Sequence, residues 1–314
     1  MIDINDIWEN LAEDFRALDS SVQTGLLKRS LLSRYGLFLG YDVFDQKRLL
    51  IFVIDNNSEL FNNDFPVWEG VTIEVRQVSR TKKGIIIKLI SDDCIEIFNS
   101  LVKDIYYTLC YAHDEFDAKN FFIDTLYKWN EFFKKYGIRI LSEEKQRGLY
   151  GELYLLYYYL VDHFSLSQSV EAWCGDEPNH QDFSFNNGNI EVKTTIKKEH
   201  KKITIASEKQ LDNTGLQNLF LYCISLNEDI NSGESLPELV GKMKILLRDR
   251  LALLILFNNY LLGLGYIYEH EKYYEKKKYI FKKEYMFRVE NDFPRIIDPP
   301  EGVGDIKYSL TIAS

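Results

Sequence analysis

Cysteine is scarce in this sequence and never closely paired. Cys94, Cys110, Cys174 and Cys223 are scattered without a C-x-x-C spacing, which excludes a zinc ribbon and offers no disulfide framework. A reducing compartment is therefore expected. Long apolar runs are also missing: the stretch from Leu251 to Phe257 meets Asn258 and Asn259 before it reaches membrane-spanning length. The opening residues Met1 to Asp6 lack the basic and apolar regions of a signal peptide. A cytoplasmic protein with no membrane partner is the expectation. His113, His163, His180, His200 and His270 show no H-E-x-x-H spacing, and there is no P-loop, G-x-S-x-G or strand-borne G-x-G-x-x-G. Zinc hydrolysis, P-loop nucleotide hydrolysis and serine acyl transfer thus lose their usual support.

Positive charge is in deficit. Lys and Arg number 38 against 48 Asp and Glu, a formal net charge of -10, whereas a surface that holds nucleic acid everywhere carries an excess of Lys and Arg. A local basic groove stays open, and so does a site that collects carboxylates for a metal.

Apolar side chains, by contrast, are plentiful. A hydrophobic content of 46%, with 20 Phe and 21 Tyr, marks a folded globular chain, and 314 residues suffice for two domains with separate cores. Strand-like runs at Gly36 to Gly40, Leu49 to Ile54, Val71 to Val78 and Gly84 to Ile90 describe an N-terminal β-rich unit over residues 1–112. Its role is recognition or another accessory function. Helical periodicity follows at Cys94 to Tyr111 and Asp114 to Tyr136, with the boundary placed near Ala112 and the second domain at 113–314. The pairs and triplets Phe132-Phe133 and Tyr157-Tyr158-Tyr159 read as packing surfaces.

The second domain carries the chemistry. A helix is predicted from Ser142, with Glu143 and Glu144 suiting its first turn, to about His163. Leu149, Leu153, Leu156, Tyr157 and Leu160 form its apolar stripe, and Glu152 falls at the edge of that stripe. A short strand is expected at Val170 to Trp173. The run from Gln181 to Thr194 then reads as a hairpin turning at Asn187-Gly188. That register pairs Phe185 with Ile190, Ser184 with Glu191, Phe183 with Val192 and Asp182 with Lys193. It puts Asp182, Glu191 and Lys193 on one polar face, where two carboxylates and an ammonium suit a divalent cation; a solvated sheet face has the same pattern. His180 shares the face of Asp182 and either touches substrate or is structural.

A strand at Ile203 to Ala206, a helix from about Ser207 and a buried strand at Leu219 to Leu226 complete a mixed α/β order. Later strands are expected at Tyr279 to Val289 and Lys307 to Ile312. Lys197, Lys198, Lys201 and Lys202 follow the hairpin and would hold substrate phosphates, or else form a solvated loop. A second basic stretch, Lys276 to Lys278 with Lys282 and Lys283, reads more readily as solvated surface.

Gly148-Leu149-Tyr150-Gly151-Glu152-Leu153 on a helix, then Asp182, then Glu191-Val192-Lys193, resembles the PD-(D/E)XK nuclease superfamily over about Ser142 to Leu226. Over most of its length the chain also resembles an uncharacterised bacterial family of that superfamily found beside phage-defence genes. The resemblance implies an α/β (α+β mixed), restriction-endonuclease-like core, a mixed central sheet flanked by helices. It implies a Mg²⁺- or Mn²⁺-dependent deoxyribonuclease in restriction or phage defence, with DNA, protein partners of a defence system and a homodimer as its associations. Carried over to this sequence, Asp182, Glu191 and Glu152 would be metal ligands, Lys193 the catalytic lysine and Gln210 a supporting glutamine. The proline of the superfamily's motif is absent, since Gln181 precedes Asp182. A non-catalytic subunit that keeps the nuclease fold for DNA binding or assembly is the alternative from another class.

Overall fold

The computed structural model describes residues 4–19, 25–56, 65, 68, 70–136, 140–174, 181–196, 202–290, 292–297 and 299–312. Its contacts divide the chain into two compact units, Met1–Arg139 and Ile140–Ser314.

The first unit opens with helix α1 (Ile4–Arg16), which buries Ile4, Trp8 and Leu11 on one stripe. Strands β1 (Leu26–Leu32), β2 (Leu37–Asp42), β3 (Lys47–Asp55), β4 (Val71–Gln77) and β5 (Lys82–Leu89) follow. They form one sheet in the order β1-β2-β3-β5-β4, with every neighbouring pair antiparallel. The near-continuous apolar runs Leu49-Leu50-Ile51-Phe52 and Ile85-Ile86-Ile87 sit in the interior strands β3 and β5, where both faces are covered. Helices α2 (Ile95–Cys110) and α3 (Glu115–Tyr136) complete the unit.

Placing α3 here moves the division away from the expected boundary near Ala112. The reason is packing: Phe122 of α3 stacks on Phe52 of β3 at 4.4 Å, and Trp129 Nε1 donates to Asp104 Oδ2 of α2 at 2.9 Å. The apolar face of α3 is therefore spent on the first sheet and its companion helix.

The second unit begins with α4 (Glu143–Leu155), capped by Ser142 Oγ, which accepts from the Lys145 amide at 3.3 Å. One wider π-helical turn, Leu156–Leu160, leads into α5 (Val161–His163). Then come α6 (Leu166–Ala172), β6 (Phe183–Phe185), β7 (Gly188–Thr195), β8 (Lys202–Ile205), β9 (Leu219–Asp229), β10 (Glu234–Ser235), α7 (Leu236–Leu247), α8 (Leu251–Gly263), α9 (Glu271–Tyr274), β11 (Lys278–Arg288) and β12 (Tyr308–Thr311). The central sheet runs β10-β11-β9-β7-β6, parallel between β7 and β9 and antiparallel elsewhere, while among the described residues β8 pairs with β12 alone. This is the mixed sheet flanked by helices that the α/β reading expects.

One face of the sheet offers Ile190, Val192, Tyr222, Ile224 and Leu226 to a core shared with Leu149, Leu153, Leu239, Val240 and Phe257 of the helices. On the other face Leu219, Leu221 and Cys223 pack with Ile203 and Ile205 of β8. Two local expectations are corrected. Val170 to Ala172 is the end of α6 rather than a strand, with Trp173 as its extended C-cap, because Ser165 and Gln168 form a reciprocal capping box that starts a helix. The helix expected near Ser207 is a single 3₁₀ turn, Glu208–Leu211. Among the described residues no helix is long and apolar enough to cross a membrane.

Candidate active site

The hairpin forms two residues out of the expected register. Phe183 pairs with Ile190, Ser184 with Asn189 and Phe185 with Gly188, so Asn186 and Asn187 make the turn. Asn218 holds it there: its Nδ2 donates to the Asn187 carbonyl at 2.7 Å and its own carbonyl accepts from the Asn189 amide at 3.0 Å. A two-residue slip preserves the alternation of faces, since side chains repeat every second position. Continued by one step, the ladder sets Asp182 opposite Glu191 rather than Lys193. Asp182 is fixed from both ends, with Oδ2 accepting from the Val192 amide at 2.7 Å and its carbonyl from the Cys174 amide at 2.9 Å.

Glu191 and Lys193 project on the face of β7 away from Ile190 and Val192, beside Leu221 and Cys223 of β9. Burial there is severe: the Glu191 side chain is 1% exposed and that of Lys193 16%. The Lys193 ammonium donates to Glu191 Oε1, and Glu191 Oε2 is buried with no hydrogen-bond partner.

Glu152 arrives from α4. That helix lies so close to β7 that a Cβ at Gly151 would overlap Thr194 Cγ2, and the missing side chain is what lets the two approach. Glu152 Oε2 accepts from Trp173 Nε1 at 2.8 Å. Trp173 is fully buried and its backbone bridges to Phe183 at the start of β6. Sequence reasoning gave Trp173 no part in the site, because the one available signal was an aromatic closing an expected short strand.

The charges of these groups act on one another. Burial lifts the Glu152 carboxyl well above the usual carboxylate range, Asp182 and Glu191 add to the rise, and the Trp173 N–H and Lys193 oppose it. Burial also raises Asp182, against the pull of Lys193 and the Val192 amide. Glu191 is pushed from 4.5 up to about 8, by burial first and then by Asp182. Burial alone would lower Lys193, but Glu191 and Asp182 outweigh it and raise its pKa. Lys193 therefore stays an ammonium at neutral pH. Full ionisation of three carboxyls around one ammonium would leave two negative charges uncompensated, and this mutual repulsion adds to the burial that holds protons on the cluster.

Among the described residues, no three His, Cys, Asp or Glu side chains already form a coordination shell. The residues nevertheless fit a hard divalent ion. Mg²⁺ or Mn²⁺ needs only one or two protein carboxylates and keeps water for the rest, and Glu191 Oε2 is a buried acceptor without a donor.

Other expected residues fall elsewhere. The Gln210 side chain is spent on its own turn, where Oε1 accepts from the Ala206 amide at 2.8 Å. Lys202 is exposed at the start of β8, opposite Thr311. His180, Lys197, Lys198 and Lys201 lie outside the described residues. Gln181, which stands where the motif has proline, is buried; its Nε2 donates to the Lys209 carbonyl and its Oε1 accepts from Asn189 Nδ2, both at 3.1 Å. In the second basic stretch, Lys277 pairs with Glu143 at 2.9 Å and Lys278 with Glu238 at 3.2 Å, while Tyr274 and Tyr279 are core residues.

A helix acid, a hairpin acid and a strand-borne Glu-x-Lys on a mixed sheet define the arrangement of a PD-(D/E)XK protein. A family model described as "Putative PD-(D/E)XK family member, (DUF4420)" matches residues 4–313, nearly the whole chain, and the chain belongs to that family. No curated protein and no solved structure matches it.

Proposed function

We propose that this protein is a Mg²⁺- or Mn²⁺-dependent phosphodiester hydrolase that cuts DNA, with Glu152, Asp182, Glu191 and Lys193 at its centre. The observation that carries the reading is the buried cluster of three carboxylates and one ammonium, with an unpartnered oxygen on Glu191. Such clusters are costly in free energy and persist where function uses them.

Glu191, Asp182 and Glu152 would hold the ion. When bound, it supplies Lewis-acid polarisation of the phosphoryl group and a lowered pKa for water. Trp173 and the Val192 amide fix one oxygen each of Glu152 and Asp182, so their remaining oxygens keep a constant direction. Lys193 acts as a charged hydrogen-bond donor. It orients the attacking water and offsets the negative charge that grows on the phosphate as the water oxygen bonds to phosphorus and the P–O bond to the leaving oxygen breaks, the proton of the water passing through solvent to the leaving oxygen. Family membership agrees with nuclease chemistry, and restriction or phage defence, with neighbouring defence proteins or a second copy as partners, is the setting we assign to it.

Purified full-length protein with Mg²⁺ or Mn²⁺ is expected to cut DNA. Asp182→Ala and Lys193→Ala should each lose about 100-fold or more, the scale of removing one preorganised transition-state contact. Undiminished cleavage by both variants would sink the assignment. Cleavage of RNA alone would redirect the substrate, and metal binding without any cleavage would favour an assembly subunit.

A further inference from the structure

Gln181 is buried immediately before Asp182, at the place where the superfamily's motif has proline. A proline there would stiffen the chain through its fixed φ and could make no side-chain hydrogen bond. Gln181 instead engages both ends of its amide. Nε2 donates to the Lys209 carbonyl at 3.1 Å and to the Gln210 carbonyl at 3.4 Å, and Oε1 accepts from Asn189 Nδ2 at 3.1 Å. Asn189 is buried too, and by strand alternation it shares its face of β7 with Glu191 and Lys193. Its Oδ1 accepts from Ser184 Oγ at 3.3 Å. A chain of side-chain amides thus runs from the hairpin to the turn Glu208–Leu211.

The two ends of that chain differ in firmness. β6 is an outer strand of the sheet with three paired residues, and the backbone bends at Gln181 and Asp182 before it begins. A short outer strand holds its flanking residues weakly. The turn Glu208–Leu211, by contrast, is anchored several times over. Leu211 is buried and its carbonyl accepts from Arg295 Nη1 at 2.7 Å, Glu208 Oε2 accepts from the Ile306 amide at 2.7 Å, and Gln210 Oε1 accepts from the Ala206 amide at 2.8 Å. A buried chain of paired amides resists displacement, because moving one member leaves the others without partners away from water. Gln181 therefore ties the residue next to Asp182, and the residue two places before Glu191, to one firm point.

We propose that Gln181 is a positioning residue for the carboxylate cluster: through Asn189 and the carbonyls of residues 209 and 210 it sets the separation of Asp182 from Glu191, and divalent-metal affinity depends on that setting. The inference rests on the reading of the cluster as a metal site. Asp182 and Glu191 come from different strands, and two such acids serve one ion only when held within about 0.5 Å of the binding geometry. Since its amide is engaged at both ends, Gln181 acts through the two acids rather than as a ligand.

Calorimetric titration of Mn²⁺ into metal-free full-length protein, well below the melting temperature of every variant, tests the proposal without any cleavage. Gln181→Met keeps the length of the side chain and removes the amide. It should bind Mn²⁺ about tenfold more weakly than the parent, the lower end of what loss of a ligand's supporting partners costs. Asn189→Ala cuts the same chain of amides from the other side and should show a similar loss, which keeps the test decisive if Gln181→Met does not fold. The two substitutions combined should lose no more than either alone, because the link they share is already broken. As a control, Ser235→Ala removes the cap of α7, whose Oγ accepts from the Glu238 amide at 3.3 Å; it should lower the melting temperature and leave Mn²⁺ affinity unchanged. A parent that binds Mn²⁺ with both variants binding equally well, losses that add in full in the double variant, or a similar loss in Ser235→Ala would overturn the role of Gln181 alone. A parent that binds no Mn²⁺ would overturn the metal reading and this inference with it.

Discussion

Glu191 shows what the site costs at the scale of one residue. An unpaired buried acceptor costs about 1–3 kcal/mol, and here it belongs to a carboxyl that also sits beside Asp182. Its folded pKa near 8 against an ordinary 4.5 has a definite sign. Between those values the folded protein keeps a proton that the unfolded chain releases, so the contribution is fully present below the ordinary value and is lost as pH rises toward 8. Metal-free protein should therefore melt at progressively lower temperature from about pH 5 to about pH 8, and Glu191→Gln should flatten that slope. A slope unchanged by the substitution would count against the buried acid. Trp173 invites a second test. In Trp173→Phe, Glu152 loses its orienting donor, and Mn²⁺ affinity should fall about tenfold or more, as loss of such supporting partners typically does. A calorimetric titration matching the parent would show that Glu152 needs no such partner. Asp182, Glu191 and Lys193 were legible in the sequence because strand alternation puts i and i+2 on one face. Trp173 was not, because nothing local links an indole in an expected strand to an acid twenty-one positions earlier.

At the scale of elements, the strands were the more legible part. Runs such as Ile85-Ile86-Ile87 and Leu219 to Leu226 declare interior strands by their continuous apolar character. The hairpin was right in kind and two residues out in register, since the deciding contact is Asn218, far along the chain. Helix α1 and strand β1 escaped notice, the helix for its many charges and the strand for the basic pair Lys28-Arg29 inside it. Residues 170–173 misled because Val170 and Trp173 favour strands, whereas the Ser165 capping box, several positions earlier, commits the segment to a helix. Ser165→Ala should lower unfolding free energy by about 1 kcal/mol, read from urea denaturation. No change in the midpoint would deny the cap its part in setting α6.

At the scale of the molecule, two compact units divide the chain, and the acidic excess coexists with local concentrations of charge in each. The sequence did not reveal that α3 belongs to the first unit, because an amphipathic stripe shows that a helix packs without showing on what. Family membership spans both units, so the β-rich unit is part of the same protein design as the carboxylate cluster. The account turns on that cluster being a divalent-metal site. Calorimetric titration of Mn²⁺ into the full-length protein and into Glu191→Gln tests this most directly. We expect saturable binding by the parent, weakened by about tenfold or more in the variant through loss of a charged ligand. Equal binding by the two proteins, or none by the parent, would contradict it.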